Sequence, residues 1–357
     1  MKDSYGRTID YMRISITDRC NLRCCYCMPH GAQKEPAAQI LTFEEIQAVA
    51  ICGARLGIRH IKITGGEPLV RRGCCRLVKM IKEVPGIETV TLTTNGIRLE
   101  EELPGLLEAG IDGINISLDT RDRARYHQIT GADGLETVES AIQAACRSGI
   151  PVKVNAVSID FDRAGFAGRD SGTEHLVPDW VSVAELARIL PVDVRFIEMM
   201  PIGYGRQYET INHETLFKEM QKRYPGMEPD GRRHGAGPAV YYQVPGFKGS
   251  LGLISAMHGK FCKDCSRIRL TASGFLKTCL CYPDGEDLRA VLRQDQAAKT
   301  RENGHWEWKY ADCPDAPDLQ KRLSEAMEKA VRSKPGAHCF EQPQAMTEQR
   351  NMIDIGG

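Results

Sequence analysis

The stretch Cys20-Asn-Leu-Arg-Cys24-Cys25-Tyr26-Cys27-Met28-Pro29 places three cysteines at a C-x3-C-x2-C spacing, with Cys25 inserted among them. It follows an apolar run, Met12–Ile16, that reads as a first β-strand. Three thiolates are too few for a closed site, because a structural zinc takes four protein ligands and an Fe–S cube takes four thiolates. The vacant position predicts chemistry at this point of the chain. The spacing alone also allows a zinc knuckle completed by Cys25, His30 or a distant ligand.

Outward from this stretch, β-rich apolar runs alternate with amphipathic helical patterns. Strands are predicted at Met12–Ile16, His60–Thr64, Thr89–Thr93, Gly113–Leu118, Val152–Val157 and Asp193–Glu198. Helices are predicted at Phe43–Leu56 behind the capping box Thr42-x-x-Glu45, at Cys74–Val84, Glu100–Ala109 and Leu135–Ser148, and at Val183–Leu190 behind Ser182-x-x-Glu185. Repeated βα units imply a parallel sheet, and six strands are fewer than a complete barrel needs. The expected fold is an α/β, open, partial (β/α)6 barrel with its ligand at the carboxyl ends of the strands.

The strand ends carry the unusual residues. The second runs into Thr64-Gly65-Gly66-Glu67-Pro68, where paired glycines permit close approach of backbone to a ligand beside a carboxylate, though a turn explains them too. The third ends in Thr93-Thr94-Asn95-Gly96 and the fourth in Ser117-Leu118-Asp119, polar groups suited to a ligand or to helix caps. The sixth, Val194-Arg195-Phe196-Ile197-Glu198-Met199-Met200-Pro201, places Arg195 and Glu198 where burial is costly unless they are paired.

Composition shifts near residue 210, so the expected division is a barrel over residues 1–210 and a second region over 211–357. That region opens on a helix near Glu214–Tyr224, and short runs that read as antiparallel follow at Val240–Val244, Leu251–Ile254, Arg267–Thr271 and Phe275–Lys277. A second cysteine set, Cys262-Lys-Asp-Cys265 with Cys279 after thirteen residues, again offers three ligands; zinc with Cys281 as fourth ligand is the alternative. Arg267 and Arg269 alternate along one strand face and make a good phosphate or carboxylate site, unless the face is simply solvated. Arg13, Lys153 and Arg195 at other strands add charge, which points to an anionic small molecule.

The 357 residues balance 47 basic against 47 acidic side chains without a block of one sign, so no nucleic-acid partner is expected. The polar N-terminus and the lack of a long apolar run predict no signal peptide, no membrane span and a soluble, cytoplasmic protein. Fourteen cysteines in a reducing compartment indicate metal binding more than disulfides. Cys52, Cys74, Cys75, Cys146, Cys313 and Cys339 fit no ligand spacing and read as packing thiols.

With its aromatic before the last cysteine, the first motif resembles the signature of radical S-adenosylmethionine (SAM) enzymes. In that superfamily the three cysteines hold a [4Fe-4S] cluster whose fourth iron is chelated by SAM. Together with GGEP, Thr-Thr-Asn-Gly, Val-Lys-Val-Asn, Arg-Phe-Ile-Glu, C-x2-C-x13-C with Arg-x-Arg, and the terminal Gly356-Gly357, the chain is similar to the molybdenum cofactor biosynthesis protein A family, the GTP 3′,8-cyclases. The resemblance implies a radical SAM barrel with a C-terminal α+β extension carrying a second [4Fe-4S] cluster. It implies Cys20, Cys24 and Cys27 as ligands of the first cluster and Cys262, Cys265 and Cys279 of the second. SAM contacts are implied at Tyr26, Gly65, Gly66, Glu67, Ser117 and Met200, and GTP contacts at Arg13, Lys62, Thr93, Lys153, Arg195, Arg267, Ile268 and Arg269. Arg267, Arg269, Gly356 and Gly357 are implied to support catalysis.

The reaction so implied is cyclisation of GTP to (8S)-3′,8-cyclo-7,8-dihydroguanosine 5′-triphosphate, the first step of molybdenum cofactor biosynthesis. Expected partners are an electron donor, a second copy in a homodimer, and the cyclic pyranopterin monophosphate synthase that takes the product. The chain departs from the family at Lys62, where Arg is usual, at Cys25, and over residues 160–180 and 295–315, to which no function is assigned. Another radical SAM enzyme with an auxiliary cluster, such as a peptide-modifying one, and a non-catalytic zinc adaptor stay open as alternatives.

Overall fold

A computed structural model describes residues 1–31, 35–166, 177–294 and 314–355. The six barrel strands form where expected: β1 Tyr11–Ser15, β2 His60–Thr64, β3 Thr89–Thr94, β4 Gly113–Ser117, β5 Val152–Ser158 and β6 Asp193–Glu198. All neighbours pair in parallel, in sequence order. The helices α1 Phe43–Arg55, α2 Cys74–Lys82, α3 Leu99–Glu108, α4 Arg123–Thr130, α5 Leu135–Arg147 and α6 Asp179–Ile189 connect them. Strands of a fully covered parallel sheet read as continuous apolar runs. Here β2, β3 and β5 instead alternate: Ile61, Ile63, Val90, Leu92, Val152 and Val154 are buried in the helix-covered core, whereas Lys62, Thr91, Thr93, Lys153 and Asn155 are half-buried on the other face. A polar inner face with partial exposure is what a ligand cavity requires.

The Thr42–Glu45 capping box forms as read, each side chain bonding the other's backbone N–H. The second box does not. Helix α6 starts four residues before the expected Val183, with Pro178 at its N-cap, and Ser182 Oγ donates to the Asp179 carbonyl within the first turn. Asp179 accepts from Thr120 Oγ1 at 2.5 Å and pairs with Arg125, which fixes the start of α6 against α4. Tertiary pairing of Asp179 thus overrides the local signal.

The second region contributes α7 His213–Arg223, β7 Glu228–Pro229, β8 Val240–Gln243, β9 Leu251–Ile254, β10 Arg267–Leu270, β11 Phe275–Lys277, β12 Gly285–Asp287, α8 Leu288–Arg293 and α9 Pro317–Arg332. Its strands do not stand apart as an antiparallel unit. β9 pairs parallel with β6 and β10 pairs parallel with β1, so both barrel edges are extended; only the outer pairs β7–β8, β8–β9, β10–β11 and β11–β12 are antiparallel. The resulting sheet runs β12-β11-β10-β1-β2-β3-β4-β5-β6-β9-β8-β7. Helices α4, α8 and α9 were not among the expected elements. α9 buries Leu319, Leu323, Met327 and Val331 and packs on α1, where Gln320 Nε2 donates to the Ala48 carbonyl at 3.0 Å. Among the described residues, no helix is long and apolar enough to cross a membrane.

Candidate active site

The first cysteine set lies in the loop after β1, held from three sides. Gly66 N–H donates to the Thr17 carbonyl and Glu67 N–H to the Arg19 carbonyl, both at 2.8 Å. A Cβ on Gly66 would stand 2.3 Å from the Arg19 oxygen, so the close approach that requires glycine here is to the cysteine loop itself. Glu67 is buried, and its carboxylate accepts from Leu69 N, Thr94 Oγ1 and Asn95 N at 3.0, 2.8 and 2.6 Å. Burial pushes that carboxyl up to about 7 despite the donors. Asn95 continues the chain of contacts, its Nδ2 donating to Asn21 Oδ1 at 2.8 Å and facing Cys20 Sγ at 3.8 Å.

On the other side, the last-turn carbonyls of α4 anchor the loop: Arg23 N–H donates to Thr130 and Cys25 N–H to Ile129, at 2.8 and 2.9 Å. Cys27 and Met28 N–H both donate to the Cys24 carbonyl at 2.9 Å, closing a tight turn. Cys25 packs beside Ile129, Ile159, Phe161 and Met199 and hydrogen-bonds Tyr208. Cys24 and Cys27 lie within electrostatic reach of Cys20. Burial raises all three thiols, Cys27 to about 12. Thiolates in such surroundings need a bound cation, so the donor set fits a metal cluster. Tyr26 Oη donates to Asp119 Oδ2 at 2.7 Å; burial lifts this carboxyl to about 6, and it also accepts from Val157 N. Ser117 ends β4 and Met200 follows β6, both half-buried. Gly356 and Gly357 lie outside the described residues. The turn before them, Met352–Ile355, reaches this site, with Ile353 bonding Cys27 through its backbone and lying against Gly66.

The second set flanks β10 and β11. Cys262 and Cys265 sit on a short turn before β10, closed by Cys265 N–H donating to the Cys262 carbonyl, and Cys279 follows β11. Lys334, which sequence reasoning missed, is buried here, its Nζ donating to the carbonyls of Thr278 at 2.5 Å and Arg267 at 2.9 Å. Burial pushes the Cys265 thiol up, but the cations Lys334 and Arg267 outweigh it and hold the thiol below its usual range. Burial raises Cys279. Arg7 braces the turn from the N-terminal segment, its Nη1 donating to the carbonyls of Cys262 and Gly336 at 2.8 and 2.9 Å while Asp3 holds its Nε. Cys281 Sγ lies 3.2 Å from Cys339 Sγ. No three metal-ligating side chains among the described residues converge on one ion, which a cluster taking one thiolate per iron does not require.

Between the two sets, the inner face collects cations. Arg13 on β1 is in register with Arg269 on β10 and Lys62 on β2, and Lys153 and Arg195 face in from β5 and β6. Burial lowers Lys62 well below the lysine range, reinforced by Arg195, Arg13, Lys153 and Arg267. Burial likewise lowers Arg13 to about 10, Lys153 to about 8, and Arg269 well below its usual value. Arg195 donates to Asn155 Oδ1 at 2.9 and 2.6 Å, Lys153 to the His234 carbonyl, and Arg267 lies over the Phe261 ring. The buried Nε of Arg13 has no hydrogen-bond partner. Thr93 Oγ1 accepts from Asn115 on the same face. Ile268 is different: its side chain is fully buried in the helix-side core, so only its backbone is available to the cavity. Glu198 does not pair with Arg195. Its buried carboxylate accepts from Met257 N, His258 N and His258 Nδ1, tying β6 to the second region.

Two family models match the chain, Radical SAM superfamily over residues 14–162 and Molybdenum Cofactor Synthesis C over 192–340. The chain is 36% identical to a GTP 3′,8-cyclase of Clostridium perfringens and 37% identical to one of Alkaliphilus oremlandii, each over the whole of both chains. It is 41% identical to one of Pelotomaculum thermopropionicum over 85% of this chain and 90% of the relative. Among solved structures, Streptococcus suis SuiB bound to S-adenosylmethionine superposes with a TM-score of 0.57 at 13% identity, over 98% of this chain and 77% of SuiB, a likeness of fold.

Proposed function

The chain belongs to the GTP 3′,8-cyclase family of radical SAM enzymes, and from that membership we propose how its residues divide the work. It catalyses the radical SAM cyclisation of GTP to (8S)-3′,8-cyclo-7,8-dihydroguanosine 5′-triphosphate, the first step of molybdenum cofactor biosynthesis. Cys20, Cys24 and Cys27 hold a [4Fe-4S] cluster, which when bound with SAM supplies the reducing electron and the 5′-deoxyadenosyl radical. The loop after β1 and the ends of β2, β4 and β6 receive SAM through the backbone of Tyr26, Gly65 and Gly66 and the side chains of Ser117 and Met200. Glu67 serves that site by tying the cysteine loop to the end of β3. Cys262, Cys265 and Cys279 hold a second [4Fe-4S] cluster facing the purine.

Arg13, Lys62, Lys153, Arg195, Arg267 and Arg269 bind the triphosphate, with Thr93 and the backbone of Ile268 alongside. The observation that carries this is the group of buried and half-buried cations on the inner face, several with lowered pKa and Arg13 Nε without a partner. Burying like charges together is costly unless a polyanion joins them. Anchoring the triphosphate far from the reacting carbon fixes the ribose against the radical source. Gly356 and Gly357 support catalysis, as the family resemblance implies. Residues 1–210 form the radical SAM barrel, which also supplies Arg13, Lys62, Lys153 and Arg195 to the triphosphate, and 211–357 the region that carries the second cysteine set and completes the substrate site. An external reductant, a synthase that consumes the product and a second copy of the chain complete the assembly. Anaerobic turnover with GTP, SAM and a reductant tests the reading: 5′-deoxyadenosine and a cyclised nucleotide are expected, and SAM cleavage without GTP consumption would sink it.

A further inference from the structure

Lys334 follows α9, whose end is fixed by Ser333 Oγ donating to the Ala330 carbonyl and by Pro335, which cannot continue the helix. A lysine there ordinarily points to solvent, yet Lys334 is only 3% exposed. Its ammonium has three donors. Two go to the carbonyls of Arg267 and Thr278, and the third interaction is with the Cys265 thiol. These carbonyls belong to the residue two beyond Cys265 and to the residue just before Cys279, so one ammonium joins the β10 and β11 sides of the cysteine set. The other charged side chains about it, Arg7 and Arg267, are cations, and the negative groups facing it are the thiols of Cys265 and Cys279. A buried ammonium without a carboxylate is costly unless the sulfurs beside it carry the opposing charge.

We propose that Lys334 is a positioning residue for the second cluster: it ties Cys265 to Cys279 and places a fixed positive charge and a hydrogen bond on a ligand sulfur, which makes that cluster easier to reduce. The inference rests on the reading that Cys262, Cys265 and Cys279 hold a cluster. Charge and hydrogen bonds at the sulfurs set such potentials. Among the described residues the hydrogen bonds to the first set come from neutral donors, Leu22 N–H and Asn95 Nδ2 at Cys20 and the Ile353 backbone at Cys27, while the Arg23 cation acts on Cys20 through space, so the two clusters differ in the charge that is hydrogen-bonded to their sulfurs.

The test uses the full chain reconstituted anaerobically after Cys20→Ala, Cys24→Ala and Cys27→Ala, which leaves only the second set to bind iron. About four irons per chain are expected; none would overturn the cluster reading and the inference with it. An EPR-monitored redox titration then compares Lys334→Gln, Lys334→Met and Lys334→Arg. Gln keeps two N–H donors without charge, Met has neither, and Arg keeps both. Gln and Met are expected to shift the potential negative, Met also to lose iron faster to a chelator, and Arg to restore most of the shift. Four irons with Gln at the unsubstituted potential overturns the assignment of charge, and the cluster reading survives. Gln also carries the test if the Met chain fails to fold.

Discussion

The two cysteine sets, each proposed to hold a cluster, have the same number of cysteines and different surroundings. Cys20, Cys24 and Cys27 lie among buried groups that disfavour added negative charge, with the carboxyls of Glu67, Asp119 and Asp354 within electrostatic reach. Cys265 and Cys279 instead face Lys334 and Arg267, and Arg7 braces their turn. A cluster near acidic groups is hard to reduce and therefore a strong reductant once reduced; one beside cations is the better place to settle an electron-rich substrate. Ligand spacing sets what each site can bind. On the proposed reading, the shell around it sets which half of the reaction it serves.

The sharpest way to break this contrast is to remove one site at a time. Cys24→Ala should take both 5′-deoxyadenosine and cyclised nucleotide below detection, whereas Cys279→Ala should abolish cyclisation and leave SAM cleavage; chromatography of anaerobic reactions reads both. Cyclisation surviving in either variant removes the division of labour. The shared cavity is tested next. Arg13→Ala deletes a charged donor and should weaken GTP binding by about 1.5–3 kcal/mol, roughly 10- to 150-fold by calorimetry, with the iron content of both sites unchanged.

A smaller effect follows from Lys153, held at about 8 chiefly by burial and then by Arg195. A bound triphosphate favours its charged form, so binding above that value takes up a proton and GTP affinity should fall as pH rises through about 8, by at most about tenfold per unit. In the free chain the sign is opposite for stability: a lysine depressed below its unfolded value costs stability as pH falls from the ordinary lysine range towards about 8, below which the cost is constant. Calorimetry in buffers of different ionisation heat detects the uptake, and an affinity flat from pH 7 to 9 counts against Lys153 as an anion ligand. Least affected should be Cys25→Ala, which loses the Tyr208 contact and apolar packing, costs about 1 kcal/mol in thermal unfolding and leaves the iron content intact. Iron loss there would make the first set a four-thiol site.

The barrel strands were legible because β-branched runs and their alternation are local signals, and Arg13, Lys153 and Arg195 could be placed on them as cleft cations, whereas Lys62 and Thr93 entered through the family resemblance. The partners of β9 and β10 were not, since a four-residue strand carries its own propensity and no record of which edge it joins. Helix α4 lacks a clear apolar stripe, and only the structure shows its carbonyls holding the cysteine loop. Lys334 and Glu198 show the limit from the other side. What each binds lies far along the chain, carbonyl acceptors for Lys334 and backbone N–H donors for Glu198, which neither residue type nor spacing reports.

The parallel pairing of β10 with β1 also has a consequence in time. Roughly 250 residues separate the two strands, which at ~5–20 residues per second of synthesis is on the order of 10–50 s. Until then the apolar β1 has one unpaired edge, a template for wrong partners, and the ribosome-bound barrel carries Arg13, Lys62, Lys153 and Arg195 without Arg267 and Arg269. The nascent chain therefore holds an incomplete anion site and its first cysteine loop before it holds its second. On the proposed roles, maturation in the cell has an order written into the sheet: radical source first, completion of the substrate cradle last.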